Sequence, residues 1–195
     1  KYKIKNPMFD LKIYDNGEIF YQTKTVKRKI SVPLNSIKKS SQLKVTLSVG
    51  NYTNSWNIYV FADSMINTSV RIINKAEELK DIIKNGGRAI VTADCVKNLI
   101  EGSFIPVFWS PVHFPSQKPC GAIIDTSHPI FESFPTEKYP DYQWKMLLDK
   151  SKGVNISYFG KDFKPIVEMV PNFVDNTPSS PLFEAKVGNA DLLFC

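Results

Sequence analysis

Short runs of alternating apolar and polar positions fill the first 62 residues, as in β-strands with one buried face. Residues 43–49 alternate strictly, with leucine or valine at every second position. Asn16-Gly17 separates two apolar runs, and because both residues tolerate a positive φ this is a hairpin signal. Residues 26–32 alternate in the same way, and residues 56–61 close the series. The spacing predicts a small β-sandwich over residues 1–63.

The pattern changes after a polar linker at residues 63–69. A short apolar run at residues 70–73 precedes a helical pattern over residues 75–85, which Gly86-Gly87 ends. Residues 88–92 have the composition of a buried strand. These segments form one β-α-β unit, which predicts a parallel sheet.

The remaining apolar segments extend this second domain. Further strand candidates lie at residues 121–125, 154–158, 165–170, 181–187 and 191–195, and a helix candidate lies at residues 141–150. We therefore predict a mixed fold, in which the N-terminal all-β sandwich precedes an α/β flavodoxin-like domain with a mainly parallel sheet at residues 70–195.

Charge is unevenly distributed along the chain. Residues 1–62 hold 11 basic and 3 acidic side chains, whereas residues 63–195 hold 14 basic and 16 acidic ones. The basic residues alternate with apolar ones, as lysines do on the solvent face of strands, and no recognised nucleic-acid module accompanies them. We expect no nucleic-acid binding. We also expect no membrane span, because no apolar run approaches the ~20 residues that a membrane helix needs.

The residues that carry most enzyme chemistry are sparse. The three cysteines are too few and too scattered for a disulfide framework, and two histidines make a zinc site improbable. No glycine-rich phosphate loop is present. We therefore expect neither a metal nor a cofactor.

His128 and Cys95 are candidates for catalysis, and each has a plainer interpretation. His128 follows Asp125-Thr126-Ser127, so it is either a general base positioned by Asp125 or a loop histidine bonded to backbone. Cys95 follows a predicted strand, where hydrolases can place a nucleophile, but it lacks their glycine-flanked elbow. Glycoside hydrolysis needs a pair of carboxylates, and no motif selects such a pair. We assign no catalytic residue.

A proline-rich, aromatic loop lies at residues 104–120. Its four prolines exclude a helix or a central strand. The aromatic side chains either form a sugar-contact surface or pin the loop to a neighbouring domain. The second interpretation is favoured, because large aromatic side chains are usually buried.

Several short motifs occur in a fixed order along the chain. A predicted strand contains Asn54-Ser55-Trp56, and the motifs that follow it are Pro106-Val107-Phe108-Trp109, His128-Pro129, Phe134-Pro135-Thr136 and Gln143-Trp144. Together they resemble the region after the catalytic barrel in bacterial family 2 glycoside hydrolases of the β-galactosidase type, and the Asn54-Ser55-Trp56 strand resembles the end of that family's post-barrel sandwich.

The resemblance implies a non-catalytic C-terminal fragment of such an enzyme, with a structural or assembly role and some carbohydrate contact. The catalytic glutamates would lie in an upstream barrel, which would be the partner of this chain, and the second domain would resemble a class I amidotransferase. The implied location is the periplasm or the cell surface. The residues we expect to contact carbohydrate are Trp109, His113, His128, Tyr142 and Trp144.

Two alternatives stay open. One is a stand-alone hydrolase or amidotransferase-like enzyme that uses Cys95 or Asp94 with His128. The other is an interaction module, whose basic N-terminal domain docks on an acidic partner such as a polyanionic glycan.

Overall fold

The computed structural model describes residues 7–63, 69–105 and 118–195. Trp109 and His113, two of the residues expected to contact carbohydrate, lie outside these described residues.

The chain divides into two compact units. Unit 1 is Lys1–Met65 together with Pro129–Pro135, and unit 2 is Ile66–His128 together with Thr136–Cys195. Within unit 1, the ring of Phe134 stacks on Phe61 with 5.3 Å between centroids. This contact holds the short later segment against the strands of unit 1.

Unit 1 is built on an antiparallel sheet. Its first hairpin turns at Asn16 and Gly17, with φ values of 49° and 86°, as the sequence predicts. The second hairpin turns at Gly50, where φ is 59°. The strands are β1 (Phe9–Asp15), β2 (Glu18–Thr25), β3 (Ser41–Val49) and β4 (Tyr52–Val60), in the order β2-β1-β3-β4.

The connection between β2 and β3 covers the central part of the apolar face of this sheet. The buried side chains of the sheet are Leu11, Ile13, Leu43 and Val45. Side chains from residues 30–37 of the connection pack against them. The predicted strand at residues 26–32 is wrong, because these residues form that connection. Apolar side chains of this segment, such as Ile30 and Val32, pack on the core of unit 1. The segment is not a strand, because its backbone does not join the hydrogen-bond ladder of the sheet.

Unit 2 holds a second, larger sheet. The elements are β5 (Arg71–Ile73), α1 (Ala76–Asn85), β6 (Gly87–Val91), β7 (Ile100–Glu101), β8 (Ala122–Ile124), α2 (Lys145–Lys150), β9 (Lys152–Asn155), β10 (Val167–Met169), β11 (Ser179–Val187) and β12 (Ala190–Phe194). The strand order is β5-β6-β12-β11-β10-β8, with β9 beside β11 and β7 beside β9.

The prediction of an α/β flavodoxin-like domain with a mainly parallel sheet is wrong. The β-α-β unit exists, since β5 and β6 are parallel and α1 joins them, and β12 is also parallel to β6. The other pairings in the described part of unit 2 are antiparallel. Gly188 and Asn189 alone join β11 to β12, and so short a connection can only join antiparallel strands. The sheet is mixed, and the described chain is mostly β.

The core of unit 2 lies between α1 and one face of this sheet. Ile82 of α1 is buried against Ile73, Val91 and Leu192. Phe194 stacks on Phe183 of the neighbouring strand with 5.1 Å between centroids. Helix α1 ends where Gly86 takes a φ of 87°, and the Gly86 N–H donates to the Ile82 carbonyl.

Candidate functional site

His128 lies in a tight turn after β8. The Asp125 Oδ1 accepts hydrogen bonds from the Ser127 hydroxyl at 2.6 Å and from the Ser127 N–H at 3.1 Å. The His128 N–H donates to the Asp125 carbonyl at 3.2 Å. The pKa of Asp125 lies below its usual range, mainly because Ser127 donates these two hydrogen bonds to the carboxylate. The nearby charges of His128 and Lys164 lower it further, by a smaller amount. Asp125 therefore stabilises the turn that presents His128.

The imidazole of His128 faces Glu184 on β11. Nε2 of His128 lies 3.7 Å from Oε2 of Glu184, which is beyond a normal hydrogen bond. The Glu184 side chain is exposed, so the pair is a loose ionic contact that exists when His128 is protonated, worth below about 1 kcal/mol. The sequence did not indicate this pair, because the two residues are far apart along the chain.

Glu184 belongs to the face of the unit 2 sheet opposite α1, which we call the open face. Successive side chains of a strand alternate between faces, so the side chains opposite the core point outward here. Exposed Ile72 lies at its edge beside Ile90. The open face consists of Ile72, Arg88, Ile90, Glu184, Lys186, Asp191 and Leu193.

An amphipathic groove of about 560 Å³ lies on the open face. Ile90 and Leu193 are neighbours in register and give it an apolar floor. One row beyond them, Asp191 lies between Lys186 and Arg88, so charges of both signs border the floor. The open face therefore carries apolar side chains next to charged side chains of both signs.

The sequence contained a signal for this face that the prediction did not use. Residues 88–92 have the composition of a buried strand, and the strands of a parallel sheet are covered on both faces. Glu184 and Lys186 are charged at alternate positions of β11, and β6 and β12 each place one charged residue, Arg88 and Asp191, beside an apolar core position. That alternation indicates a sheet with one face open.

Tyr142 and Trp144 lie in one short 3-10 turn that leads into α2, yet their environments differ. The Trp144 ring is 5% exposed, and its Nε1 donates to the Thr136 Oγ1 at 2.7 Å. Tyr142 is 73% exposed and makes an edge-to-face contact with Phe104 at 6.4 Å between centroids. The Phe104 N–H in turn donates to Asp149 on α2. Only the Tyr142 ring of this turn is open to a ligand.

Cys95 is held as a thiol. Its Sγ donates to the carbonyl of Ile73 at 3.4 Å. Burial, followed by the negative charges of Asp94, Glu78 and Glu77, raises the pKa of the Cys95 thiol. A nucleophilic cysteine needs a lowered pKa, so this environment is opposite to the one required.

Two features bear on the broader class of the protein. Within residues 7–63, 69–105 and 118–195, no group of three or more His, Cys, Asp or Glu side chains could hold a metal ion. None of the helices in these ranges has the length and apolar character to cross a membrane.

Two protein-family models each match one part of the chain. A protein-family model described as Domain of unknown function (DUF8487) matches residues 71–195, which is more than half of the chain. A second model, described as Domain of unknown function (DUF8488), matches residues 8–62. None of the curated proteins matches the chain.

Proposed function

We propose that this chain, which belongs to the DUF8487 family, is a non-catalytic accessory region of a carbohydrate-degrading enzyme of the family 2 glycoside hydrolase type. Its open face packs against the catalytic barrel of that enzyme, at the periplasm or the cell surface. The ordered motifs that resemble the post-barrel region support the enzyme class. The open face is the single structural observation that carries the accessory role.

The chemistry of the open face supports packing on another domain. Ile72 is 57% exposed beside the half-buried Ile90 and Leu193, so a domain that packed here would remove the apolar surface of these side chains from water. Arg88, Lys186 and Asp191 provide a charged border that can fix the orientation of a partner.

A matched pair of variants tests this role. Ile72→Glu places a charge on the open face, and Val174→Glu places one at an equally exposed site elsewhere in unit 2, since Val174 is 55% exposed. Both substitutions should leave the isolated chain folded. In the natural polypeptide, Ile72→Glu should lower the melting temperature while Val174→Glu should not. Equal effects of the two variants, or a natural polypeptide that contains no catalytic barrel, would contradict the proposal.

Carbohydrate contact is the second part of the proposed role, and Tyr142 is the residue that supports it. Its exposed ring can stack on the apolar face of a sugar, and Phe104 holds it in place. A glycan array should record binding by the wild-type chain, loss of binding by Tyr142→Ala, and retention by Tyr158→Ala, which removes another exposed ring of unit 2. A folded wild-type chain that binds no glycan would contradict the contact.

The His128–Glu184 pair favours one further candidate, a stand-alone hydrolase with His128 as general base. The raised pKa of Cys95 argues against the thiol version of that enzyme. Hydrolysis of chromogenic esters and glycosides by the chain, abolished in His128→Ala, would establish this alternative and overturn the accessory role.

A further inference from the structure

We propose that unit 1 carries a binding surface for an acidic polysaccharide along its edge strand β4, where Tyr52 and Trp56 are exposed. The choice of ligand rests on the proposed function, which places the chain in a carbohydrate-degrading enzyme. The surface itself lies in unit 1 and uses none of the residues of the open face.

Three side chains form a strip along the edge strand β4. Tyr52, Asn54 and Trp56 occupy alternate positions, so they point to the same face of the sheet. Tyr52 is 74% exposed, Trp56 is 43% exposed, and Asn54 between them is also exposed. Tyr52 and Trp56 are four residue steps apart along the strand, which places the two rings about 13 Å apart.

The strip combines the two kinds of contact that sugar recognition uses. Aromatic rings stack on the apolar faces of pyranoses. The Asn54 side chain, whose Oδ1 accepts from the Ser55 N–H at 3.0 Å, offers amide N–H donors to sugar hydroxyls. The distance between the rings suits an oligosaccharide rather than a single sugar.

A basic segment lies at the end of the sheet where β4 begins with Tyr52. Tyr52 pairs with Val49, Val49 with Phe9, and Phe9 with Thr25, so one row of the sheet runs from Tyr52 to the end of β2. The row spans three strand spacings, or about 14 Å. The residues that directly follow Thr25 and Val26 are Lys27, Arg28 and Lys29, all exposed.

The position of this basic segment is fixed on both sides. The Lys27 N–H donates to the Thr25 Oγ1 at 3.1 Å. Ile30, which follows the segment, packs against the apolar face of the sheet, the face that also carries Tyr52 and Trp56. The ion pairs in the described part of the chain do not involve Lys27, Arg28 or Lys29.

Charge selects an acidic polymer over a neutral one. The excess of basic side chains in residues 1–62 attracts a polyanion, and the exposed basic segment can contact its carboxylates or sulfates. Single-stranded nucleic acid would meet the same charges. Surfaces that bind single strands stack successive bases, however, and the two rings of this strip are too far apart to do so.

Titration calorimetry with polygalacturonate, dextran and poly(dT) tests the surface on the full chain. We expect binding to polygalacturonate that weakens as salt is raised, and no binding to dextran. Trp56→Ala and Tyr52→Ala should each lower the affinity by roughly fivefold or more. Tyr52 is so exposed that its variant remains informative if Trp56→Ala perturbs the fold.

A charge-matched pair separates this surface from general attraction. The triple variant Lys27→Ala, Arg28→Ala, Lys29→Ala should lose most of the affinity. The control Lys12→Ala, Lys24→Ala, Lys44→Ala removes the same charge from strand positions that point to the opposite face, and should stay within roughly twofold of wild type.

The outcomes that overturn the proposal are definite. They are equal losses in the two triple variants, tighter binding to poly(dT) than to polygalacturonate, or no binding to the acidic polymer at all. The Ile72→Glu comparison in the natural polypeptide is independent of these measurements. Failure of the polysaccharide site and failure of the accessory role are therefore distinguishable.

Discussion

The indole Nε1 of Trp144 donates a hydrogen bond of 2.7 Å to the hydroxyl of Thr136. Trp144 is almost fully buried in unit 2, and this hydrogen bond satisfies its indole N–H, which would otherwise be an unpaired buried donor. Trp144 therefore supports the fold, and the sugar contact that the sequence assigned to this region can involve only its exposed neighbour Tyr142.

Removing this ring should destabilise unit 2. Trp144→Ala is expected to lower the free energy of unfolding by about 3–5 kcal/mol, because it opens a cavity. Trp144→Phe keeps most of the volume but leaves Thr136 without its donor, so about 1–3 kcal/mol should be lost. Urea denaturation followed by circular dichroism measures both. Tyr142→Ala is the control and should change stability by less than about 0.5 kcal/mol; a loss similar to that of Trp144→Ala would contradict the assignment.

Acid should weaken the turn that holds His128. The folded-state pKa of Asp125 is lowered mainly by the Ser127 hydroxyl, so the ionised carboxylate stabilises the fold above the unfolded pKa of about 3.9. This contribution is lost as the pH falls through the lower, folded-state pKa. Wild type should therefore be more stable than Ser127→Ala at pH 7, and the difference should shrink toward zero in stronger acid. Urea midpoints across this pH range measure it.

The chain contains a matched control for that experiment. Asn155 Oδ1 accepts from the Ser157 N–H at 2.9 Å and from the Ser157 hydroxyl at 2.7 Å, in the same arrangement. Because an amide does not titrate, the stability lost in Ser157→Ala should not depend on pH. If both differences changed equally with pH, the ionisation of Asp125 would not be the cause.

Local signals in the sequence predicted local structure well. Asn16-Gly17 forms the expected hairpin, and the pattern over residues 75–85 gives a helix that Gly86 ends. These features depend on φ preferences and on the burial of one helix face, and both are determined by residues that are close together in the sequence.

The error in fold class came from extending one β-α-β unit to the whole of unit 2. Gly188-Asn189 is a hairpin signal between two apolar segments. It excludes a parallel pairing of the two strands that it joins, β11 and β12. The pairing of the strands depends on contacts between segments that are distant in the sequence. The same is true of the burial of Trp144 and the exposure of Tyr142. Composition and periodicity carry no information on those contacts.

Cys95 should react slowly with alkylating reagents. Burial raises the pKa of its thiol and the nearby carboxylates raise it further, so little thiolate exists at pH 7. Mass spectrometry of iodoacetamide-treated chain should find Cys95 alkylated more slowly than free cysteine, with a rate that rises in alkaline solution. Asp94→Asn should increase the rate modestly. Rapid alkylation at neutral pH would restore Cys95 as a candidate nucleophile.

Gly102 and Gly153 provide a final comparison, because both are buried and a methyl group at each would meet different kinds of neighbour. At Gly102 an added Cβ would lie 2.5 Å from the Leu148 carbonyl oxygen, which belongs to the backbone of α2 and cannot move without disturbing the helix. At Gly153 the first obstacle is the terminal methyl of Met169, and a flexible methionine can move aside.

Gly102→Ala should therefore cost about 3 kcal/mol in urea denaturation and Gly153→Ala about 1 kcal/mol. The residue 102 N–H donates a hydrogen bond of 2.9 Å to the Ser151 carbonyl. In Gly102→Ala this amide proton should exchange faster with solvent, because α2 must shift. The reverse order of the two costs would mean that the end of α2 yields more readily than the core around Met169.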